Sequence, residues 1–272
     1  MPRYVLPVLI LAAVAIAAGL TWWTLVRPAS AGDVATVEQD VAPFRRLELN
    51  GGADVTLRQG ATEHLSVQTP ARGLSVVANV EGDTLTVDAH DTRRWWQSLF
   101  GGARTNRTAK ITITVRNLDA VTIAGAVNVT AAALETPELR IEASGGSTLR
   151  IDGLKTRLLH VEADGALKAR LAGTATEQRI SISGAGDYIA GDLASQTASV
   201  DVSGVGTVVL RVEKTLSASI SGAGSVEYYG NPQVSKSISG VGKVRQREAA
   251  EVLPPEGLRR VADAANRMVA MR

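Results

Sequence analysis

The stretch Ile180-Ser181-Ile182-Ser183-Gly184-Ala185-Gly186 returns as Val200-Asp201-Val202-Ser203-Gly204-Val205-Gly206 and again as Ala218-Ser219-Ile220-Ser221-Gly222-Ala223-Gly224. Ser239-Gly240-Val241-Gly242 follows, and Ala124-Gly125-Ala126, Ser144-Gly145-Gly146 and Asp164-Gly165-Ala166 hold the same place upstream. The first glycines fall at 125, 145, 165, 184, 204, 222 and 240, with spacings of 20, 20, 19, 20, 18 and 18 residues. Before each glycine, β-branched or small apolar residues alternate with polar ones, the period of a strand with one buried face. A coil of 18–20 residues cannot bury that face alone. Stacked coils can, at about 4.8 Å per strand, each hydrogen-bonding the next. The repeat therefore predicts an all-β fold, a parallel β-helix, and seven to nine coils would make a rod on the order of 35–45 Å. Its glycines are expected to turn sharp corners through backbone angles costly to other residues. The serines before them should form a column. Ser-Gly and Gly-x-Gly also occur in nucleophile and phosphate loops. Here they lie between strands, with no helix start and no histidine tied to the repeat, which favours architecture over chemistry.

Outward from the repeat, residues 44–123 read as less regular β structure. Phe44 to Leu57 gives strand, glycine turn and strand, and the alternation continues in Leu65-Ser66-Val67, Leu74-Ser75-Val76, Leu85-Thr86-Val87 and Ile111 to Val115. Turns are expected at Gln59-Gly60 and Glu81-Gly82-Asp83. Asp91 to Arg104 interrupts the pattern and concentrates Trp95, Trp96 and Phe100 with Arg93 and Arg94. Such residues favour interfaces, so these five are the candidate partner or membrane contact; the competing reading is an insertion packed on the flank. After Pro254-Pro255, Leu258, Val261, Ala262, Ala265, Met268 and Val269 recur at helical spacing. Residues 248–272 are thus expected to include a short amphipathic helix that caps one end of the β-helix or docks elsewhere.

The 23-residue run from Tyr4 to Val26 is uncharged. At about 1.5 Å per residue it could span a bilayer as a helix. Ala29-Ser30-Ala31 matches a signal-peptidase site, so residues 1–31 read either as an N-terminal transmembrane anchor or as a signal peptide cleaved after Ala31. Either places the remainder outside the cytoplasm. Residues 32–43 read as a linker and 44–247 as the β-helix domain. Of 29 basic and 27 acidic residues, Arg3 and Arg27 lie before residue 32, leaving 27 against 27 in the rest. A neutral ectodomain carries no electrostatic footprint for nucleic acid. The absence of cysteine excludes disulfides and thiolate chemistry. Aromatic residues make up only 4% of the chain, so the core must be aliphatic.

Phe44, Leu49-Asn50-Gly51-Gly52-Ala53-Asp54-Val55-Thr56-Leu57, Gln59-Gly60, Glu81 to Val87, the Ser-Gly-x-Gly units and Tyr229-Gly230-Asn231-Pro232-Gln233-Val234 occur in this order. From Phe44 to about Val244 the sequence resembles the putative auto-transporter adhesin head GIN domain family, DUF2807. The resemblance implies a right-handed parallel β-helix in a bacterial envelope protein that faces the periplasm or cell surface. It carries no catalytic or ligand residues onto this chain.

Three functions follow as expectations. The leading one is a non-enzymatic, adhesin-like binding or scaffold module of the envelope, with a protein or glycan partner, a membrane contact through residues 4–26, and no cofactor or metal. The second is a polysaccharide-active enzyme, which would need gathered carboxylates; Asp54, Asp164, Asp187 and Asp201 read instead as isolated turn acids. The third is a membrane-associated sensing or stress component that acts through partners.

Overall fold

The computed structural model describes residues 35–69, 74–91 and 108–247, and among these there is no helix. The expected helices of residues 1–31 and 248–272, and the candidate contacts Arg93, Arg94, Trp95, Trp96 and Phe100, lie outside the described residues. No helix among the described residues is long and apolar enough to cross a membrane.

Among the described residues, fifteen strands form one continuous sheet that winds as a β-solenoid. From Gly125 to Gly240 it makes about six turns. The coils run through β7 (Ala120–Ala131), β8 (Leu134–Ala143), β9 (Gly146–Ala163), β10 (Ala166–Ile182), β11 (Ala185–Val202), β12 (Val205–Ile220), β13 (Ala223–Tyr229), β14 (Gln233–Ile238) and β15 (Val241–Gln246). Every pairing among these strands is parallel, so each residue sits over its counterpart in the coil before. One inward column reads Ile141, Val161, Ile180, Val200, Ala218. Its neighbour reads Ala143, Ala163, Ile182, Val202, Ile220. All ten are buried, the alternation in the repeat having assigned them to the inside. Phe44 and Tyr188 are the aromatic members of an otherwise aliphatic core.

The earlier part of the chain departs from a simple parallel helix. β2 (Arg46–Gln59) lies beneath β7 but above β5 (Thr84–Asp91) and β6 (Ala109–Val115), so the order of coils in space is not their order in sequence. Below them the stack is closed by antiparallel strands: β3 (His64–Thr69) on β6, β1 (Ala35–Asp40) on β3, and β4 (Leu74–Glu81) on β5. β1 falls within the stretch that the sequence reads as a linker. β4 and β5 join through Gly82-Asp83, with positive φ at Gly82 only, as a tight two-residue hairpin with glycine at its first central position requires.

The repeat glycines do not act as the sequence predicts. Of the seven, only Gly125 has a positive φ. What they provide is clearance between coils. A Cβ on Gly145, Gly165, Gly184, Gly204, Gly222 or Gly240 would lie 1.8–2.2 Å from the carbonyl oxygen of the glycine one coil below. Those carbonyls are engaged upward: Gly165 O accepts from Ala185 N at 3.0 Å and Gly184 O from Val205 N at 2.9 Å. A methyl group at the column would force the coils apart and break that ladder. Gly51 belongs to the same column, since Gly125 stacks on it with its Cβ position 2.2 Å from Gly51 O.

Candidate functional site

The flank of a parallel solenoid is a grid, with side chains repeating along the strand and stacking between coils. A concavity of about 870 Å³ lies at the corner about ten residues past each repeat glycine. It crosses several coils. Glu135, Lys155, Thr174 and Ala194 stack in register along it, and Arg157, Thr176, Gln196 and Glu213 also line it. Its floor is the adjacent column Thr136, Thr156, Ala175 and Ser195. The three hydroxyls there are buried and satisfied by the backbone: Thr136 donates to Glu138 O and Thr156 to Leu158 O, both at 3.1 Å, and Ser195 donates to Arg211 O at 2.7 Å. Gln59 closes the foot, donating to Glu135 O and accepting from Glu135 N, both at 2.8 Å. With its floor pinned, the groove presents amides, hydroxyls and one exposed ion pair, Lys155 to Glu135 at 2.8 Å.

A second, shallower groove of about 710 Å³ follows the glycine corner. Gly186, Gly206 and Gly224 lie between an outward column of Ala166, Ala185, Val205 and Ala223 and another of Lys168, Asp187, Thr207 and Ser225. Val205 is 61% exposed.

A third arrangement ties the last coil to the stack. Glu227 is 4% exposed. Arg245 holds it through Nε at 2.8 Å and through Nη2, and Arg247 Nε lies 2.5 Å away. Burial pushes the Glu227 carboxyl up, but the two guanidinium groups outweigh it and hold the pKa below the ordinary carboxylate value. Arg247 also donates to the Tyr229 hydroxyl at 3.3 Å, and Arg211 sits over the Tyr229 ring at 5.4 Å.

The acids singled out from the sequence are spread over the surface. Asp54 accepts from Asn128 at 2.7 Å and from Thr108 at 2.8 Å. Asp164 accepts from Ser183. Asp187 stacks between Lys168 and Thr207, and Asp201 between Ser181 and Ser219. Among the described residues no group of three or more histidine, aspartate or glutamate side chains is placed to hold a metal ion. The polar groove was missed from sequence. Its residues share the 18–20 period of the glycines but change type from coil to coil, so only their phase marks them.

Residues 43–232 match the family model described as "Putative auto-transporter adhesin, head GIN domain". The chain belongs to that family. Solved structures of other bacterial proteins share its fold. A putative adhesin from Bacteroides fragilis is 23% identical, with a TM-score of 0.68 over 80% of this chain and 98% of its own. A putative lipid binding protein from Parabacteroides distasonis is 18% identical, with a TM-score of 0.58 over 80% and 98%. A putative adhesin from Parabacteroides merdae is 18% identical, with a TM-score of 0.56 over 80% and 97%. At these identities the likeness establishes the head GIN fold alone. No curated protein matches the chain.

Proposed function

We propose that this head GIN domain is a non-enzymatic, adhesin-like binding module of the bacterial envelope, and that its polar flank groove holds an extended glycan. The observation that carries the reading is the groove itself: an open channel of about 870 Å³ crossing the coils, floored by satisfied hydroxyls and rimmed by amide, hydroxyl and charged side chains. Protein interfaces are centred on aromatic and large apolar anchors, and no aromatic or large aliphatic side chain lines this channel, whose apolar members are Pro137, Ala175 and Ala194. A polyhydroxylated chain would instead meet hydrogen-bonding side chains coil after coil. Hydrolysis would need a gathered acid and base, and the scattered Asp54, Asp164, Asp187 and Asp201 weigh against the polysaccharide-active alternative. The sensing alternative predicts a protein partner and no glycan binding.

Binding to a glycan array by the full chain tests this reading. Thr176→Trp, which fills the groove from an exposed rim position, should reduce the array signal at least tenfold. An unchanged signal would exclude the groove, and capture of a protein with no glycan signal would favour the sensing role.

A second reading places the contact on Arg93, Arg94, Trp95, Trp96 and Phe100. It is favoured by register: Gly51 pairs with Ala89 and Ala53 with Ala109, so positions two apart on β2 have partners twenty apart in sequence, and the five candidates fall between those partners. Loss of binding in Trp95→Ala/Trp96→Ala with Thr176→Trp unaffected would move the site there. The envelope location rests on residues 4–26 and Ala29-Ser30-Ala31, and cell fractionation of the tagged chain tests it. Right-handed winding is part of the proposal; it rests on the family and on the strong handedness of parallel crossovers.

A further inference from the structure

The two ends of the solenoid are finished differently. The end carrying β1, β3 and β4 is closed by antiparallel strands. At the other end β14 and β15 form the last layer, and among the described residues no strand pairs with their outer edges. The core columns terminate there in the open. Val234 is 37% exposed and Ile238 41%, whereas Leu216 and Ile220, one coil below them, are each 1% exposed. Val244 above Val226 is only half-buried. Apolar side chains that every inner coil covers are uncovered at this face.

The chain leaves from a fixed point beside that face. Arg247 N donates to Tyr228 O at 2.7 Å, and its side chain engages Glu227. Residues 248–272 follow from that point. Eight residues ending in Pro254-Pro255 precede the helical pattern of Leu258, Val261, Ala262, Ala265, Met268 and Val269. A helix over 258–272 would be about 22 Å long. A six-residue strand such as β14 or β15 spans about 20 Å.

We propose that residues 258–272 lie as an amphipathic helix across the open end of the solenoid, with the apolar stripe on Val234, Ile238 and Val244. Lys236 selects this occupant over a second copy of the chain. It ends the inward column of Ile180, Val200 and Ala218. Stacking another coil on β14 would seal its ammonium group inside a continuous apolar core, which is costly, and inward charges on edge strands oppose such pairing. A helix laid across the end leaves the lysine stem on the apolar surface and its head free to reach water at the rim.

The chain contains no cysteine, so introduced pairs report without background. In the full chain, in detergent, Ile238→Cys is combined with Val261→Cys, with Ala265→Cys, or with Arg260→Cys from the opposite side of the helical wheel, and treated with a short bismaleimide. The proposal expects intrachain cross-linking for at least one apolar-side pair, several-fold above the Arg260→Cys pair. Equal yields, or no intrachain product, would overturn it. Cross-links between chains would assign the face to a second copy and also overturn it. So would loss of the intrachain product on adding vesicles of phosphatidylcholine and phosphatidylglycerol, which would assign the stripe to a membrane surface.

Discussion

A methyl group on Gly204 would lie 1.8 Å from the Gly184 carbonyl oxygen and 2.5 Å from the Ser183 carbonyl oxygen. Backbone atoms cannot swing aside as a side chain can, so the coils must separate. Gly204→Ala should cost at least ~3 kcal/mol by denaturant unfolding. Gly146 has nothing within 4 Å of its Cβ position, and its register partner is Ala166. Gly146→Ala should stay within about 0.5 kcal/mol of the parent. The sequence made the column legible through spacing but not its cause, because composition alone cannot separate a glycine needed for φ from one needed for approach. Gly51 was not legible as a member at all; it lies far upstream of Gly125 and becomes its neighbour only through the order of coils. The core holds a second residue-scale test. Tyr188 donates to Gln178 Oε1 at 2.8 Å, and both side chains are fully buried. Tyr188→Phe leaves that amide oxygen unpaired and should cost ~1–3 kcal/mol, while adding Gln178→Leu removes the orphan and should recover much of the loss. A double-mutant cycle on unfolding free energy reads the difference directly.

Between β11 and β12 the pairing jumps from Ala190 opposite Leu210 to Ala194 opposite Arg211, and later from Ser195 opposite Val212 to Thr197 opposite Thr215. These bulges let a 20-residue coil carry an 18-residue one while the glycines stay aligned. The uneven spacing in the sequence is therefore absorbed at the far corner. The last coil is held by a charge cluster as well as by its ladder. The Glu227 carboxyl has a depressed pKa in the folded chain, so its ion pairs contribute fully above the ordinary carboxyl pKa near 4.5. That contribution is lost as pH falls through the lower folded value. Acidification should therefore lower amide protection, taken against the intrinsic exchange rate at each pH, in β15 before β10, and Glu227→Gln should remove that difference; an equal loss of protection in both strands of the parent would contradict it. The antiparallel closure was the least legible element. β1, β3 and β4 alternate as the coil strands do, and period alone does not distinguish a parallel from an antiparallel neighbour.

At the scale of the whole molecule, the winding turns a one-dimensional period into a two-dimensional surface. Glu135, Lys155, Thr174 and Ala194 carry no motif, yet the register sets them side by side. The family assignment followed from the ordered glycine and turn residues, which the architecture constrains. The groove did not, because solvent-facing positions are free to vary in type. Its use as a binding surface is the central claim, and amide hydrogen exchange of the full chain with and without a glycan selected from the array tests it most directly. Binding should slow exchange in a stripe across coils, at residues 135–137, 155–157, 174–176 and 194–196, with β14 and β15 unchanged. Protection confined to residues 92–107, or to the glycine corner, would contradict it.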